Sequence, residues 1–437
     1  MRALVALGLV AVGLLATSTA EAQRTRGGQN ATPLARGTPE QTGLATARLA
    51  RIETVLKKEI DEGRLPGAVV MVARRGRLAY QGAWGFQDPA KKTPMQIDSI
   101  FRIYSMTKPL VSVAAMLLVE DGALQLADPV SKHLPSFKDV RVWRGGGEIV
   151  PERQMTVQDL LRHTAGLAYG EITKNTTVKE ALIQAGLAKP DVRDYDSRDM
   201  TGPEQVARLS KIPLIHQPGT TWEYSLASDV LGRVVEAVSG KRLGDFLAER
   251  LFRPLNMPDT GFFVPPEKMS RLAEAFEIDP ASGNRYPLLD VSAQPGNDSG
   301  GAGAVSTASD YLRFAQMLLQ GGVLNGNRIL SRSTVTLMAS DHLGPAILAA
   351  TSTTPGELLL GTQGYTFGLG FAVRISDGLA AVPGSAGEFL WAGYAGTFFW
   401  VDPREQIAAV YMTQAPSPIR ASYRRLIKQL VYQAITD

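Results

Sequence analysis

The chain has 437 residues, of which 44% are hydrophobic, 20% charged and 7% aromatic, the balance of a soluble globular protein with material for two cores. Its formal charge of +4 comes without any Lys/Arg run long enough to bind nucleic acid, so no nucleic-acid partner is expected. Cysteine is absent, which excludes disulfides, thiolate metal sites and a cysteine nucleophile.

Residues 1–22 have the pattern of an export signal. Arg2 supplies the positive start, residues 3–15 the apolar centre, and Ala20-Glu21-Ala22 a small-residue cleavage site before Gln23. The apolar run falls short of the roughly 18 residues that a membrane span needs. Cleavage is therefore expected, leaving a periplasmic or secreted protein with no stable membrane span. Residues 23–40, rich in Gly, Arg and Pro, read as a flexible lead-in.

Leu44, Leu49, Ile52, Leu56 and Ile60 recur at helical spacing. Strand-like runs follow at residues 68–73 and 78–84, joined by Arg74-Arg75-Gly76-Arg77, a hairpin signal. From residue 105 the chain turns to helices and long loops. Charged, loop-like sequence fills residues 174–203, and helices are predicted at 228–239 and 243–251. Residues 297–305 form a Gly-rich loop, and Thr307-Ala308-Ser309-Asp310 caps a further helix to Leu319. Strand signals return at 367–375, 388–401 and 406–414, and an amphipathic helix closes the chain at 422–436.

Strands at both ends and helices between them predict an α+β fold. One antiparallel sheet, flanked by the N- and C-terminal helices, is built from residues 41–100 and 306–437. An all-helical domain, residues 101–305, is inserted into it and carries the nucleophile.

Ser105 and Lys108 stand three apart at the mouth of an apolar helix, which puts both on one face of its first turn. The unpaired N–H groups and the positive dipole end there favour an alkoxide and a neutral amine. Chance alone supplies about 0.8 such pairs in a chain with 25 Ser and 14 Lys, so the neighbourhood must carry the argument. Two further stretches supply it. Trp222-Glu223-Tyr224-Ser225-Leu226 offers a Tyr hydroxyl, whose ordinary pKa of about 10 a neighbouring ammonium lowers. Trp391-Ala392-Gly393-Tyr394-Ala395-Gly396 offers small residues that admit a substrate, and the Tyr394 N–H as an oxyanion donor beside that of Ser105.

The four histidines (His133, His163, His216, His342) have no metal-binding spacing, and His163 reads as a hydrogen-bonded structural residue. No G-x-S-x-G elbow and no phosphate-binding Gly loop occur, so neither an α/β-hydrolase triad nor a nucleotide site is expected. No metal or organic cofactor is called for.

With these residues in view, the sequence resembles the serine hydrolases of the class C β-lactamase superfamily, and within them is most similar to the family VIII carboxylesterases. The likeness runs from about Thr42 to the C-terminus. It rests on Ser105-Met106-Thr107-Lys108-Pro109, Asp128-Pro129-Val130 with His133-Leu134-Pro135, residues 161–167, 218–232 and 300–310, and residues 391–403. The resemblance implies a β-lactamase/penicillin-binding-protein-like fold with the site between sheet and helical domain. It also implies Ser105 as nucleophile, Lys108 and Tyr224 as its base pair, and the N–H groups of Ser105 and Tyr394 as oxyanion hole.

Two departures bear on the substrate. Leu226 stands where the β-lactamases have the Asn of Tyr-x-Asn, and Trp391-Ala392-Gly393 replaces Lys-Thr-Gly, removing the cation that meets a β-lactam carboxylate. Losing a charge-assisted hydrogen bond costs about 1.5–3 kcal/mol, roughly 10- to 150-fold in transition-state binding. An uncharged ester loses nothing, and the Trp391 indole with Gly393 suits an apolar acyl or alcohol group. The expectation is an exported carboxylesterase (EC 3.1.1 type) that cleaves a small-molecule ester through an acyl-enzyme on Ser105, with possible weak β-lactamase activity. A β-lactamase or D-Ala-D-Ala peptidase using the same nucleophile, and a catalytically silent binding protein on this fold, are the alternatives.

Overall fold

Strand-forming runs from the two ends of the chain pair with each other. The computed structural model describes residues 34–190, 197–349 and 354–437, so the export signal and the start of the lead-in lie outside the described residues. Near the N-terminus, β1 (Gly67–Arg74) and β2 (Arg77–Asp88) form a hairpin through Arg75 and Gly76, whose φ angles of 53° and 75° suit a tight turn, and β3 (Thr93–Pro94) follows. The other end supplies β4 (Tyr365–Phe367), β5 (Ala372–Arg374), β6 (Phe389–Ala392), β7 (Phe398–Asp402) and β8 (Ile407–Met412). β8 pairs with β1, Val70 opposite Tyr411, and closes an eight-stranded antiparallel sheet of order β4-β5-β6-β7-β8-β1-β2-β3.

Every residue of β1 and β8 is buried. Strands covered on both faces read as continuous apolar runs, which is how both appear in the sequence. Five helices bear on the site: α1 (Thr46–Asp61), α2 (Thr107–Glu120), α3 (Ala227–Ser239), α4 (Ala308–Leu319) and α5 (Arg420–Tyr432). α1 lies on β2 and α5, α4 lies on β1, β7 and β8, and α2 packs along α3. The stretch of α2 from Thr107 to Leu118 is buried throughout, so the helix is apolar all round rather than striped.

Several elements differ from the expectation. The runs at 367–375 and 388–401 each take in two strands, β4/β5 and β6/β7, because the turns between them, residues 368–371 and 393–397, mix glycine with apolar and aromatic residues that do not interrupt the pattern. The loop-like stretch 174–203 contains the helix Thr176–Gln184, and a second helix, Gly202–Leu209, begins at its end. Only Val178 and Leu182 of the first are buried, too thin a stripe to read, although Asn175 caps it by accepting the Val178 N–H at 3.1 Å. The helix expected over 243–251 is α-helical for Leu243–Leu247 and then widens to a π-turn at Ala248–Phe252. Within the lead-in, the Gly37 N–H donates to the Leu78 carbonyl at 3.2 Å, so residues just after 34 run beside β2.

The sheet and α5 are joined by a buried ionic cluster. Lys428 donates to Glu388 at 2.8 Å, both fully buried, and the Tyr365 hydroxyl donates to the other Glu388 oxygen at 2.6 Å. Burial holds the Lys428 ammonium below its ordinary pKa, with Glu388 opposing the shift. Removing one partner strands the other charge in the core. Glu388→Ala is therefore expected to lose about 3–5 kcal/mol of unfolding free energy, read from urea denaturation. Replacing Glu388 and Lys428 together by Met is expected to cost less than Glu388→Ala alone.

Candidate active site

Ser105 stands where the chain leaves a two-residue ladder (Phe101–Arg102 against Val305–Ser306) and enters α2 through a single 3-10 turn, Tyr104–Met106. Tyr104 has φ of 44°, a left-handed conformation that an L side chain adopts at a cost of roughly 1–3 kcal/mol. The surroundings hold it there. The Tyr104 hydroxyl accepts the Leu289 N–H at 2.9 Å, its ring meets the Tyr394 ring edge-on at 5.4 Å, and the Ile103 N–H reaches the Ala304 carbonyl at 3.0 Å. Behind the turn, Tyr311 of α4 donates to the Met106 carbonyl at 2.8 Å. The position of Ser105 is thereby fixed by contacts on both sides of the turn.

The Lys108 side chain, 1% exposed, turns back to Ser105 one helical turn away. Its Nζ donates to Ser105 Oγ at 3.3 Å, to the Tyr169 hydroxyl at 3.0 Å and to the Gly301 carbonyl at 2.8 Å. Tyr224 completes the group: its hydroxyl lies 2.6 Å from Ser105 Oγ, and Lys108 Nζ sits 4.5 Å above its ring centre. The structure thus brings together Ser105, Lys108 and Tyr224. A phenol hydroxyl in contact with Ser105 Oγ and beside Lys108 is placed to exchange a proton with that serine.

Tyr224 is placed by its neighbours. Thr221–Trp222 pairs in parallel with Leu348–Ala349, the Glu223 N–H donates to the His163 carbonyl at 2.9 Å, and Leu226 then begins α3. His163 packs its ring 5.1 Å from that of Tyr224, with Trp222 and Phe367 beyond it, and its Nδ1 lies 3.4 Å from Ser225 Oγ. Burial, with Lys108 nearby, holds the His163 imidazole well below its ordinary pKa, so it is neutral at pH 7.

β6 ends beside the Ser105 turn. A Cβ on Gly393 would come within 2.3 Å of the Ile103 carbonyl oxygen, so only glycine lets this strand approach the Tyr104–Ser105 turn. Arg424 of α5 donates to the Gly393 carbonyl and the Gly393 N–H donates to the Thr397 carbonyl at 2.8 Å, which sets the direction of the Gly393–Tyr394 peptide. Trp391 is fully buried, 5.5 Å from the Tyr224 ring and 5.3 Å from Phe367. Its indole is a wall behind Tyr224, and Leu226 is buried as well.

Tyr169 and Gly301 are the residues that sequence reasoning missed. Tyr169 lies in the turn after the short helix Val157–Leu161, in a stretch without periodicity, and Gly301 contributes only its backbone carbonyl. Neither has a sequence signal apart from its place beside a motif. A cavity of about 560 Å³ opens next to Tyr394, lined by Gly170, Ile183, Ala188, Tyr286 and Pro287, with Lys179 and Arg285 among its polar residues. Among the described residues, no group of three His, Asp or Glu side chains is placed to hold a metal ion, and no helix is long and apolar enough to cross a membrane.

A family model described as Beta-lactamase matches residues 51–432. The chain is 34% identical over 374 residues to an uncharacterized Mycobacterium tuberculosis protein, covering 82% of this chain and 88% of that one. It is 31% identical over 386 residues to Esterase EstB of Burkholderia gladioli, covering 84% of this chain and 91% of that enzyme. Among solved structures, EstCE1, described as a hydrolase with promiscuous acyltransferase activity, superposes with a TM-score of 0.74 at 30% identity, over 88% of this chain and 99% of its own.

Tyr169→Phe deletes one acceptor of the buried Lys108 and leaves the packing in place. Fluorophosphonate labelling of Ser105 is expected to slow by about 10-fold or more in this variant, the worth of one hydrogen bond to a charged group, with the thermal midpoint little changed.

Proposed function

Since the chain belongs to the β-lactamase family, we propose that it is a serine hydrolase that cleaves carboxylic esters through an acyl-enzyme on Ser105. The observation that carries this reading is the contact of Tyr224, Ser105 and Lys108 within 3.3 Å, backed by the uncharged wall of Trp391.

In the proposed reaction Tyr224, ionised under the influence of Lys108, takes the Ser105 proton as Oγ attacks the ester carbonyl. The N–H groups of Ser105 and Tyr394 receive the oxyanion. Tyr224 then returns its proton to the departing alkoxide, which leaves as the alcohol. Water, deprotonated by the same pair, attacks the acyl carbonyl and releases the carboxylic acid and free Ser105. The cavity beside Tyr394 takes one arm of the ester, and its lining sets Ile183, Ala188 and Pro287 among the charged Lys179, Lys189 and Arg285. The esterase relatives support ester over amide chemistry, as does the missing cation at Trp391.

Hydrolysis of p-nitrophenyl acetate and butyrate against nitrocefin tests the substrate class. The esters are expected to give the higher kcat/KM, and a higher value for nitrocefin sinks the esterase reading in favour of a β-lactamase. Ser105→Ala is expected to lose at least about a thousandfold in kcat on the esters, and Tyr224→Phe about 10²- to 10⁴-fold.

We also propose export, on the pattern of residues 1–22. N-terminal sequencing of the protein from a periplasmic or culture fraction is expected to begin at Gln23. A full-length chain confined to the cytoplasm contradicts it.

A further inference from the structure

A second buried charge lies behind Lys108. Asp229 stands on the first turn of α3, 2% exposed, and plays no part in the reaction described above. Its Oδ1 accepts the Ser299 hydroxyl at 2.7 Å and the Gly301 N–H at 3.2 Å. Ser299 Oγ in turn accepts the Ala302 N–H at 3.1 Å. That N–H belongs to the same peptide unit as the Gly301 carbonyl, which Lys108 Nζ holds at 2.8 Å. The bonds therefore run in one direction: Lys108 to the Gly301–Ala302 peptide, that peptide to Ser299, and Ser299 to Asp229. A cation stands at one end and a carboxylate at the other, and such chains polarise each of their members.

We propose that Asp229 is a positioning residue, which acts through Ser299 and the Gly301–Ala302 peptide to hold Lys108 in place and to supply its remote counter-charge. The assignment rests on Ser105 and Lys108 being the nucleophile and its partner. The loop is built for this relay. A Cβ on Gly301 would meet Asp229 Oδ2 at 2.3 Å and the Tyr169 hydroxyl at 3.0 Å, so the carboxylate and the tyrosine close on the same point. Two other ion pairs lie nearby, and of their charges Arg233 also acts on Asp229. On α3, Arg233 pairs with Glu236 at 3.0 Å, and in the loop Asp298 pairs with Arg242 at 2.6 Å. Asp229 has no direct ion pair among the described residues. The remaining titratable groups around Lys108 are Tyr169, Tyr224 and the neutral His163. Burial pushes the Asp229 carboxyl up, while Ser299, then Lys108, then the Gly301 N–H pull it back.

The sign of the effect follows. A negative charge favours proton binding nearby, so it raises both apparent pKa values of the coupled Lys108–Tyr224 pair. Asp229→Asn keeps the acceptor and removes the charge. The rate of fluorophosphonate labelling of Ser105, measured from pH 5 to pH 11, is expected to fall about 10-fold at its maximum. Both limbs of the profile are expected to move to lower pH by about half a unit to one unit. Ser299→Ala keeps the charge and breaks the relay; it is expected to slow labelling and move the profile the same way by less. With an ester substrate, the loss is expected in kcat, with KM changed less than about threefold.

A folded Asp229→Asn with the wild-type profile overturns the assignment. If that variant does not fold, a wild-type profile in Ser299→Ala overturns it. A wild-type protein that the probe does not label overturns the serine-hydrolase reading itself, and this assignment with it.

Discussion

The molecule has to keep a lysine side chain almost wholly out of water, and much of its structure follows from that. An ammonium carries three donors and tolerates burial only when each is met. At Lys108 they are met by Ser105, by Tyr169 and by the Gly301 carbonyl, which come from three distant parts of the chain. Each acceptor has its own support. Ser105 depends on the left-handed Tyr104 turn, Tyr169 on the turn after residues Val157–Leu161, and Gly301 on a loop tied to Asp229. Low-dielectric surroundings that disfavour a lone cation favour one whose donors are all met.

The sheet delivers the other half of the site. β1 and β8 join the chain ends, and two strands along, β6 brings Gly393 and Tyr394 against the nucleophile turn. α5 holds that strand from behind through Arg424, and the Glu388–Lys428 pair ties α5 to the sheet. Aromatic packing then fixes Tyr224, which is surrounded by His163, Tyr169 and Trp391, each with its ring centre between 5.1 and 5.5 Å away. A ring so enclosed keeps one rotamer, and its hydroxyl stays on Ser105. With Trp391 committed to the wall, that position offers no cation to an anionic ligand.

The distinction between Trp391 as wall and Trp391 as substrate contact shows how far a linear reading reaches. The tryptophan, the glycine two residues on and the missing lysine were all legible, and so was their consequence for charge. Which way the indole faces was not, since that depends on Phe367 and Tyr224, 24 residues before it and 167 before it in the chain. In the same way Gly393 read as room for a substrate, whereas a side chain there would run into the Thr397 hydroxyl and the Ile103 carbonyl.

The order of helices and strands, the antiparallel sheet from both chain ends and the Ser105–Lys108 pair are properties of local pattern. Periodicity and a three-residue spacing survive in any context, so the sequence by itself determined them. Tyr224 needed a resemblance to be singled out, because one tyrosine before a helix has no periodicity of its own. Tyr169, Gly301, Ser299 and Asp229 had no signal beyond lying in or beside stretches already noted: two hydroxyls, a peptide unit and a carboxylate acquire meaning only through distances of about 3 Å across long separations in the chain. The tertiary structure alone decided these, since hydrogen bonds depend on position in space and leave no repeating trace along the chain.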